Sequence, residues 1–453
     1  MTSRDLSTII KAYDVRGTVP DQLDDDIARA LGAAFALFTG ASTIVTARDM
    51  RETGVSLGAA FAEGATSQGA SVIDAGLGST DLLYYAAGTL DVPGAMFTAS
   101  HNPAKYNGIK LCLAGAAPVG QDTGLRRLRE DAERFLAEGL PAPVPTPGTV
   151  EQRSLLEDYA AYVKGLVPGL DAIRPLKVVV DAGNGMGGLT VPVTFQGLPL
   201  EVTELYFELD GSFPNHEANP IDPENLRDLQ KAVLAEGADL GLAFDGDADR
   251  CFVVDERGQI VSPSTLTALI AERELARVPG STVIHNLITS RSVAEVVTEN
   301  GGTPVRTRVG HSFIKAEMAR TGAVFGGEHS GHFYFRDFWN ADSGMLAALH
   351  ALAALGGQDG PLSELLTSYD RYAASGEINS TVTDQQAKVA EIKARYADLE
   401  LDELDGLTVA SPDGWWFNVR ASNTEPLLRL NVEAPDEAAM TTVRDEVLAL
   451  IRA

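Results

Sequence analysis

Residues 24–76, "DDDIARALGAAFALFTGASTIVTARDMRETGVSLGAAFAEGATSQGASVIDAG", alternate between helix-like and strand-like segments. "DDDIARALGAAFALF" and "GVSLGAAFAEGATSQG" place apolar residues at helical spacing, and the first opens with acidic residues that favour a helix N-terminus. "STIVTARD" and "ASVIDAG" are short apolar segments typical of strands. Because helices and strands that alternate in this way build βαβ units, the stretch predicts a mostly parallel sheet.

Similar rounds recur along the chain. One runs from "LKVVVDAGNGMGG" (176–188) to "LGLAFDGDADR" (240–250), and another covers residues 281–332. Each round places polar residues after an apolar strand, where open α/β sheets bind ligands, so we expect these residues to face a central cleft. After about residue 370 the pattern of predicted strands and helices becomes that of a smaller α+β domain. The predicted fold class is therefore α/β, with three similar mixed α/β domains plus a smaller C-terminal α+β domain around that cleft.

The charge balance narrows the classes of partner. The net charge is −27, with 63 acidic and 36 basic residues, which disfavours non-specific nucleic-acid binding and docking on an anionic membrane. No apolar stretch approaches the length of a membrane span, and the first residues lack the apolar core of a signal peptide. We therefore expect a soluble cytoplasmic protein without nucleic-acid or membrane partners. Cys112 and Cys251 lie in apolar runs and are expected to be buried.

"LGLAFDGDADR" places three carboxylates, Asp245, Asp247 and Asp249, at alternate positions after an apolar strand. Bunched carboxylates repel unless a cation lies among them, and hard oxygen ligands suit Mg²⁺ or Ca²⁺. Arg250 adds a fixed positive charge suited to a phosphate oxygen. An EF-hand is excluded because Arg250 stands where that loop needs glycine. The alternative to a metal site is a solvated acidic turn.

Two further clusters carry polar groups. "WWFNVRASNTEPLLR" (415–429) combines guanidinium, hydroxyl and amide groups in a possible phosphate nest, or else a capped turn. "VFGGEHSGHFYF" (324–335) suits sugar hydroxyls, or else forms a polar turn. "KAYDVRG" (11–17) is either an anion contact or a surface strand, and "DAGNGMGG" (181–188) matches the dinucleotide pattern of glycines but lacks a clearly placed acidic partner, which favours a tight structural turn.

"FTASHNPAKYNGIK" (97–110) sets Ser100 beside His101 on a predicted turn after a buried strand. Together and in this order, the clusters resemble the α-D-phosphohexomutase family, in its phosphomannomutase/phosphoglucomutase branch. "TASHNP" is similar to the family's phosphoserine loop, "DGDADR" to its metal loop, "GGEHSGH" to its sugar-recognition loop and "RASNTEP" to its phosphate-binding loop. "FPNHEANP" and "RVGHSFIK" are also similar to family segments.

The resemblance implies four domains, one for each loop in that order: residues 1–147, 148–253, 254–368 and 369–453. It implies that Ser100 carries the phosphoryl group, and that one Mg²⁺ per chain is held by the three aspartates with a phosphoserine oxygen. Arg250 and Lys110 would offset charge on the moving group. Lys110, His101 and His311 are the candidate general bases. The expected substrate-binding residues are Tyr13, Arg16, Arg308, Glu328, Ser330, His332, Arg420, Ser422, Asn423, Thr424 and Arg429.

The implied reaction interconverts hexose 1-phosphate and hexose 6-phosphate, with mannose or glucose as the sugar. A hexose 1,6-bisphosphate is the intermediate and the activator, and it must turn around in the cleft, so hinge motion near residue 370 is expected. Phosphoglucosamine mutase stays an alternative, as does a non-enzymatic protein that binds sugar phosphate or metal. His329 departs from several relatives and leaves the preferred sugar open. The expected oligomeric state is a monomer or a dimer.

Overall fold

The computed structural model describes residues 4–11, 13–422 and 427–453, with only the backbone described for His311. The chain forms two compact units. The first unit contains the residues up to 261 together with 330–365, and the second contains 262–329 and 366–453.

The elements up to residue 261 form the larger part of the first unit. Its strands are β1 (Val15–Thr18), β2 (Thr43–Arg48), β3 (Ser71–Leu77), β4 (Gly94–Phe97), β5 (Tyr106–Cys112), β6 (Val150–Gln152), β7 (Leu176–Asp181), β8 (Leu200–Leu205), β9 (Leu240–Phe244), β10 (Cys251–Asp255) and β11 (Ile260–Val261). Its helices are α1 (Asp25–Thr39), α2 (Thr53–Ser67), α3 (Thr80–Leu90), α4 (Arg126–Glu138), α5 (Leu156–Leu166), α6 (Gly187–Phe195) and α7 (Arg227–Glu236).

The remaining elements follow in chain order. They are α8 (Pro263–Arg277), β12 (Thr282–Asn286), α9 (Arg291–Glu299), β13 (Thr303–Thr307), α10 (His311–Thr321), β14 (Phe325–Gly327), β15 (Phe333–Phe335), β16 (Ala341–Asp342), α11 (Gly344–Gly356), α12 (Leu362–Leu365), β17 (Ala373–Thr381), α13 (Gln385–Arg395), β18 (Glu400–Asp402), β19 (Leu407–Ala410), β20 (Trp416–Ala421), β21 (Leu427–Ala434) and α14 (Glu437–Arg452). Short 3₁₀ turns cover Ala114–Ala116, Leu170–Ala172, Pro223–Leu226, Arg336–Phe338 and Leu366–Ser368, and a π turn covers Gln121–Leu125.

The first sheet has the strand order β1-β5-β4-β2-β3-β6. Its pairings from β4 through β2 and β3 to β6 are parallel, as the alternating sequence predicts, whereas β1, β5 and β4 pair antiparallel. The antiparallel pairings of β5 with β4 and with β1 make the sheet mixed, although three of its five pairings are parallel. Residues 150–152, which follow the proline-rich stretch, form β6 and extend the free edge of β3 in register from Val72 and Val150 onwards.

Helices α1 and α2 cover this sheet, and their sequences explain their bounds and contact. The Asp24 side chain accepts the Ile27 N–H at 2.9 Å and caps α1. Gly40, at φ +61°, ends it in the left-handed conformation that favours glycine. A Cβ at Gly32 would lie 2.0 Å from the Phe61 carbonyl oxygen, and one at Gly64 would lie 2.0 Å from the Arg29 carbonyl oxygen. The two helices therefore pack backbone to backbone.

The second sheet of the first unit has the order β11-β10-β9-β7-β8. Strand β7 pairs in parallel with β8 and β9, and β9 pairs antiparallel with β10. Every residue of β9 is buried, and Phe244 lies opposite Cys251 at its end. The acidic residues 245–250 therefore form the connection of a buried hairpin.

In the second unit, β12 lies between β13 and β14 and pairs in parallel with both. The chain after residue 372 forms an antiparallel sheet with the order β17-β21-β20-β19-β18. Helices α13 and α14 accompany this sheet, and its core includes Ile392, Phe417 and Val447. Within the described part of the chain, no helix combines the length and the apolar character that a bilayer crossing requires.

Candidate active site

Ser100 lies in the connection between β4 and β5, three residues beyond the last residue of β4. It is 4% exposed, and its φ of +49° is in the left-handed region, which is uncommon for a residue with a side chain. The Thr98 hydroxyl accepts the Ser100 N–H at 2.9 Å. The Ser100 Oγ donates to Asp245 Oδ2 at 2.9 Å and lies 3.1 Å from His101 Nδ1. The serine hydroxyl is thus held at one end of the acidic cluster.

Asp245, Asp247 and Asp249 are all buried, and one carboxylate oxygen of each lies within 4.8 Å of the others. Ala248, at φ +57°, provides the tight turn between them. Lys110 lies on β5, and its Nζ donates to Asp247 Oδ2 at 2.7 Å and to Asp249 Oδ2 at 2.6 Å. The carboxylate cluster is thus partly neutralised by a cation from the first sheet.

Further donors complete one side of the cluster. Arg250 donates through Nε to Asp245 Oδ2 at 2.9 Å and through its backbone N–H to Asp245 Oδ1 at 3.2 Å. The same guanidinium lies 3.2 Å from Ser100 Oγ and also contacts His101 Nδ1. Thr80, at the start of α3, donates its hydroxyl to Asp247 Oδ2 at 2.6 Å.

The cluster has the free oxygens that a cation would need. Asp247 Oδ1 and Asp249 Oδ1 are buried and accept no hydrogen bond from the described residues. Leaving such oxygens without a partner is costly in a protein interior. An all-oxygen donor set suits a hard divalent cation. The three aspartates therefore fit a metal site.

Burial and neighbouring charges set the protonation of the cluster. Burial raises the pKa of Asp245 to about 7, although Arg250 opposes the change. Burial would also raise the pKa of Asp247, but the charge of Lys110 and the hydrogen bonds from Lys110 and Thr80 outweigh it and lower that pKa. Burial would lower the pKa of Lys110, yet Asp247 and Asp249 hold it well above its usual value. Lys110 is consequently a charged group here.

His101 is kept neutral. Burial lowers the pKa of His101 to about 2, and the charges of Arg250 and Arg16 act in the same direction. Arg16 reaches this loop because its Nη1 donates to Asn102 Oδ1 at 2.6 Å, while its Nη2 pairs with Asp14 at 2.6 Å. The Nε of Arg16 is buried and lacks a hydrogen-bond partner in the described part of the chain. Tyr13 is half-buried in the segment before β1.

Ser330 and His332 also lie beside the acidic cluster in the first unit. Ser330 Oγ is 2.9 Å from His332 Nδ1, and His332 Nε2 is 3.8 Å from Asp249 Oδ1. Asp342, which the sequence analysis missed, approaches Asp249 and His332 within 4.8 Å. Its sequence signal is only a polar pair before a helix, in "NADSGM" (340–345).

The other expected residues belong to the second unit. Glu328 is 2% exposed and accepts hydrogen bonds from Asn286 Nδ2 at 3.3 Å and from the Gly310 N–H at 3.1 Å. The Arg308 guanidinium lies over the Phe313 ring, 5.0 Å from its centroid. His311 begins α10, and its side chain lies outside the described part of the structure.

The arginines of the C-terminal sheet meet on one carboxylate. Arg420 Nη2 and Arg429 Nη1 lie 3.0 Å from the two oxygens of Glu377, and each arginine has a buried Nε without a hydrogen-bond partner among the described residues. No sequence pattern marks Glu377, because its contact with both arginines depends on the pairing of β17, β21 and β20. The Ser422 N–H donates to the Leu427 carbonyl at 2.9 Å. Asn423 and Thr424 lie outside the described residues.

The glycines of "DAGNGMGG" are explained by packing. A Cβ at Gly185 would lie 2.7 Å from the Gly246 carbonyl oxygen, and one at Gly188 would lie 2.2 Å from the Phe207 carbonyl oxygen. Gly183 has φ +53°. A tight structural turn, rather than a dinucleotide site, accounts for all three glycines.

Comparison with known proteins places these features in a family. Four segments match models described as phosphoglucomutase/phosphomannomutase alpha/beta/alpha domain I (residues 7–134), domain II (157–258), domain III (262–372) and C-terminal domain (377–450). A phosphomannomutase of Escherichia coli is 40% identical over 459 residues, which cover 98% of this chain and 99% of that protein. The phosphomannomutase/phosphoglucomutase of Pseudomonas aeruginosa is 38% identical over 449 residues, 97% of this chain and 94% of that protein.

A solved structure shares the fold. The crystal structure of a phosphoglucomutase/phosphomannomutase family protein from Burkholderia thailandensis has a TM-score of 0.88 and 34% sequence identity, and the match covers 99% of this chain and 97% of the other. The predicted fold class, three α/β domains and a smaller C-terminal domain, is confirmed, as is the resemblance drawn from the four motifs. The predicted boundaries of the four domains stay a prediction. The chain belongs to the phosphoglucomutase/phosphomannomutase family of α-D-phosphohexomutases, enzymes that act as intramolecular phosphotransferases.

Proposed function

We propose that this protein interconverts hexose 1-phosphate and hexose 6-phosphate, with mannose or glucose as the sugar, through phosphorylated Ser100. The observation that carries the proposal is the placement of the Ser100 hydroxyl, which lies buried between Asp245, Arg250 and His101. The names of the relatives above, which are mutases of mannose and glucose phosphates, support the choice of sugar.

In the proposed first step, a hydroxyl oxygen of the sugar monophosphate attacks the phosphorus of phosphoserine. The bond between phosphorus and Ser100 Oγ breaks, and the sugar hydroxyl loses its proton to a base. The product is a hexose 1,6-bisphosphate, which turns around in the site. Ser100 Oγ then takes the other phosphate, and the released sugar oxygen regains a proton. Phosphoryl transfer of this kind depends mainly on positioning and on neutralising charge.

The residues around Ser100 supply that neutralisation. Arg250 lies 3.2 Å from Ser100 Oγ, so its fixed charge stabilises the serine oxygen as it leaves phosphorus. Lys110 holds its charge over Asp247 and Asp249. Asp245, Asp247 and Asp249, together with a phosphoserine oxygen, would hold one Mg²⁺ per chain. When bound, that ion would supply further positive charge for the transferring group.

The remaining assignments are also proposals. Glu328, Ser330 and His332 would contact the sugar hydroxyls, and Tyr13, Arg16 and Arg308 would contact substrate anions. Arg420 and Arg429, which now share Glu377, would exchange that carboxylate for the non-reacting phosphate, helped by Ser422, Asn423 and Thr424. Among the candidate bases, Lys110 is charged and His101 Nδ1 is occupied by Arg250, which favours His311. Hexose 1,6-bisphosphate would prime Ser100 and act as the activator, hinge motion would occur near residue 370, and the protein would be cytoplasmic and monomeric or dimeric.

The test is a panel assay with mannose 1-phosphate, glucose 1-phosphate and glucosamine 1-phosphate, each with Mg²⁺ and a trace of hexose 1,6-bisphosphate. We expect turnover of the first two, and peptide mass analysis should find one phosphate on Ser100. Ser100→Ala should abolish turnover while it retains divalent-cation binding. Full turnover by Ser100→Ala, or turnover of glucosamine 1-phosphate alone, would contradict the proposal.

A further inference from the structure

Arg51 follows β2 by three residues in "RDMRET" (48–53). Its side chain is 2% exposed, which is rare for an arginine. A guanidinium has five N–H donors in a fixed plane. All five are used: Nε donates to Asp49 Oδ2 (3.2 Å), Nη1 to the carbonyls of Pro103 (3.0 Å) and Tyr106 (2.9 Å), and Nη2 to the carbonyls of Ser100 (2.9 Å) and Asn102 (2.7 Å).

Four of the five acceptors are backbone carbonyls of one short segment, residues 100–106, which we call the serine loop. A loop that turns its carbonyls inward needs donors for them, because a buried carbonyl without a hydrogen bond is destabilising. The serine loop also contains the left-handed Ser100, at φ +49°. Such a conformation is unfavourable for a residue with a side chain and persists only where surrounding contacts enforce it. Arg51 supplies contacts of this kind.

Neighbouring segments hold Arg51 and the loop in place. The Phe213 ring lies over the guanidinium, with 5.1 Å between its centroid and Arg51 Cζ. A Cβ at Gly211 would lie 2.9 Å from Arg51 Cα, and one at Gly246 would lie 2.5 Å from the Ser100 carbonyl oxygen. The segment around residue 213 therefore packs against Arg51, and the connection of residues 245–250 packs against the serine loop. These contacts leave the serine loop little freedom to move.

We propose that Arg51 is a positioning residue for phosphoryl transfer, which fixes the serine loop so that Ser100 Oγ faces Asp245 and Arg250. The inference rests on the proposed function of Ser100. Arg51 has no N–H left for a solute and is shielded from solvent, so it acts through the loop and does not contact substrate. Its loss should therefore lower kcat and leave KM nearly unchanged.

Arg51→Lys is the primary variant, because lysine keeps the charge but has three donors on a flexible stem instead of a planar fork. A displacement of about 1 Å in a reacting group costs roughly 100-fold in rate, so we expect kcat to fall about 100-fold with KM within about threefold of wild type. The rate of transfer from Ser100-phosphorylated protein to glucose 1-phosphate, measured in a single turnover, should fall by the same factor.

Arg174→Lys is the matched control. Arg174 also donates to two carbonyl oxygens and one aspartate, at 3.1, 3.2 and 3.1 Å. It precedes the amino end of β7, whereas the acidic cluster follows the carboxyl end of β9, the parallel neighbour of β7. Its replacement should lower the melting temperature and leave kcat within about twofold of wild type, since no reacting group moves.

Phe213→Leu is the second variant, because Arg51→Lys risks a failure to fold. It removes the ring over the guanidinium and should lower kcat about 10-fold at constant KM. If Arg51→Lys and Phe213→Leu both have the kcat of Arg174→Lys, the positioning role is overturned. If Arg51→Lys does not fold, an unchanged kcat in Phe213→Leu overturns it. If the wild-type protein is active and both variants have its kcat, only the inference about Arg51 is contradicted. Wild-type protein without activity or phosphate on Ser100 contradicts the proposed function instead.

Discussion

Lys110→Met should make the first unit dependent on a divalent cation for its stability. Lys110 Nζ forms ion pairs of 2.7 Å with Asp247 and 2.6 Å with Asp249, and its side chain is only 17% exposed while both carboxylates are buried. Methionine keeps the apolar stem but removes the charge. Arg250 still forms ion pairs with Asp245 and Asp249. Asp247 then has no ion pair with any lysine or arginine that the structure describes, because its partner is Lys110.

The size of the effect follows from these contacts. Removing one partner of a buried ion pair costs about 3–5 kcal/mol, and the partial exposure of Lys110 favours the lower end, about 3 kcal/mol. For a cooperative unit of this size, 1 kcal/mol changes the melting temperature by roughly 2 °C. We therefore expect Lys110→Met to melt about 6 °C below wild type in the presence of a chelator. A cation bound by the folded form only, at 100 times its Kd, returns about 2.7 kcal/mol.

The assay is differential scanning fluorimetry with EDTA and with millimolar MgCl₂, run on wild type, Lys110→Met and Lys177→Met. Lys177 is an exposed lysine on β7 and serves as the control for loss of a lysine charge from a strand. We expect the EDTA-to-Mg²⁺ difference to be several degrees larger in Lys110→Met than in the other two proteins. A variant that melts in EDTA within about 1 °C of Lys177→Met would refute the electrostatic reasoning.

Three other outcomes test different parts of the structure. Tyr159→Phe removes a 2.7 Å hydrogen bond to buried Asp81, whose pKa burial raises to about 6. It should lower the free energy of unfolding, measured by urea titration at pH 7–8, by about 1.5–3 kcal/mol. An unchanged free energy of unfolding would show that the remaining hydroxyl donors suffice for Asp81. Burial would lower the pKa of His216, but the hydrogen bond and charge of Asp181 outweigh burial and raise that pKa above 6.5. The interaction of His216 with Asp181 therefore stabilises the folded protein fully below pH 6.5, and this stabilisation is lost as pH rises through the higher pKa of the folded state. His216→Gln should therefore destabilise the protein more at pH 5.5 than at pH 9, and an equal loss at both would contradict the assignment. Glu377→Gln should strengthen binding of inorganic phosphate about 10-fold in calorimetry, because it removes the anion that competes for two guanidinium groups, and weaker binding would indicate that the carboxylate instead orients them.

The sequence predicts the elements that have their own local signal. The helices and strands of residues 24–76 appear as α1, β2, α2 and β3, because amphipathic spacing and short apolar runs survive burial in the fold. The antiparallel pairing of β1, β5, β10 and β11 is not predicted from the sequence, since pairing direction depends on how the chain turns rather than on side-chain pattern. Residues 150–152 joined the first sheet for a similar reason, because β3 offers a free edge.

The chemistry of the site divides in the same way. The three aspartates and Ser100 are marked by rare clusters, and the structure brings them together. The residues next to Lys110 in the sequence do not predict its contact with the carboxylates, because that contact comes from the pairing of β4 with β5 next to a second sheet. Arg51 carries no motif at all, since four of its five acceptors are main-chain oxygens, which every residue has.

The main-chain contacts of Arg51 have a practical consequence for anyone who wishes to redesign this region. Within the serine loop, Arg51 binds only peptide oxygens, so these contacts do not depend on which side chains the intervening residues carry. Ala104 and Lys105 are exposed and lie between Pro103 and Tyr106, whose carbonyls bind Arg51. Both positions are therefore open to randomisation, and a library built there would vary the exposed side chains of the serine loop while the position of Ser100 stays the same.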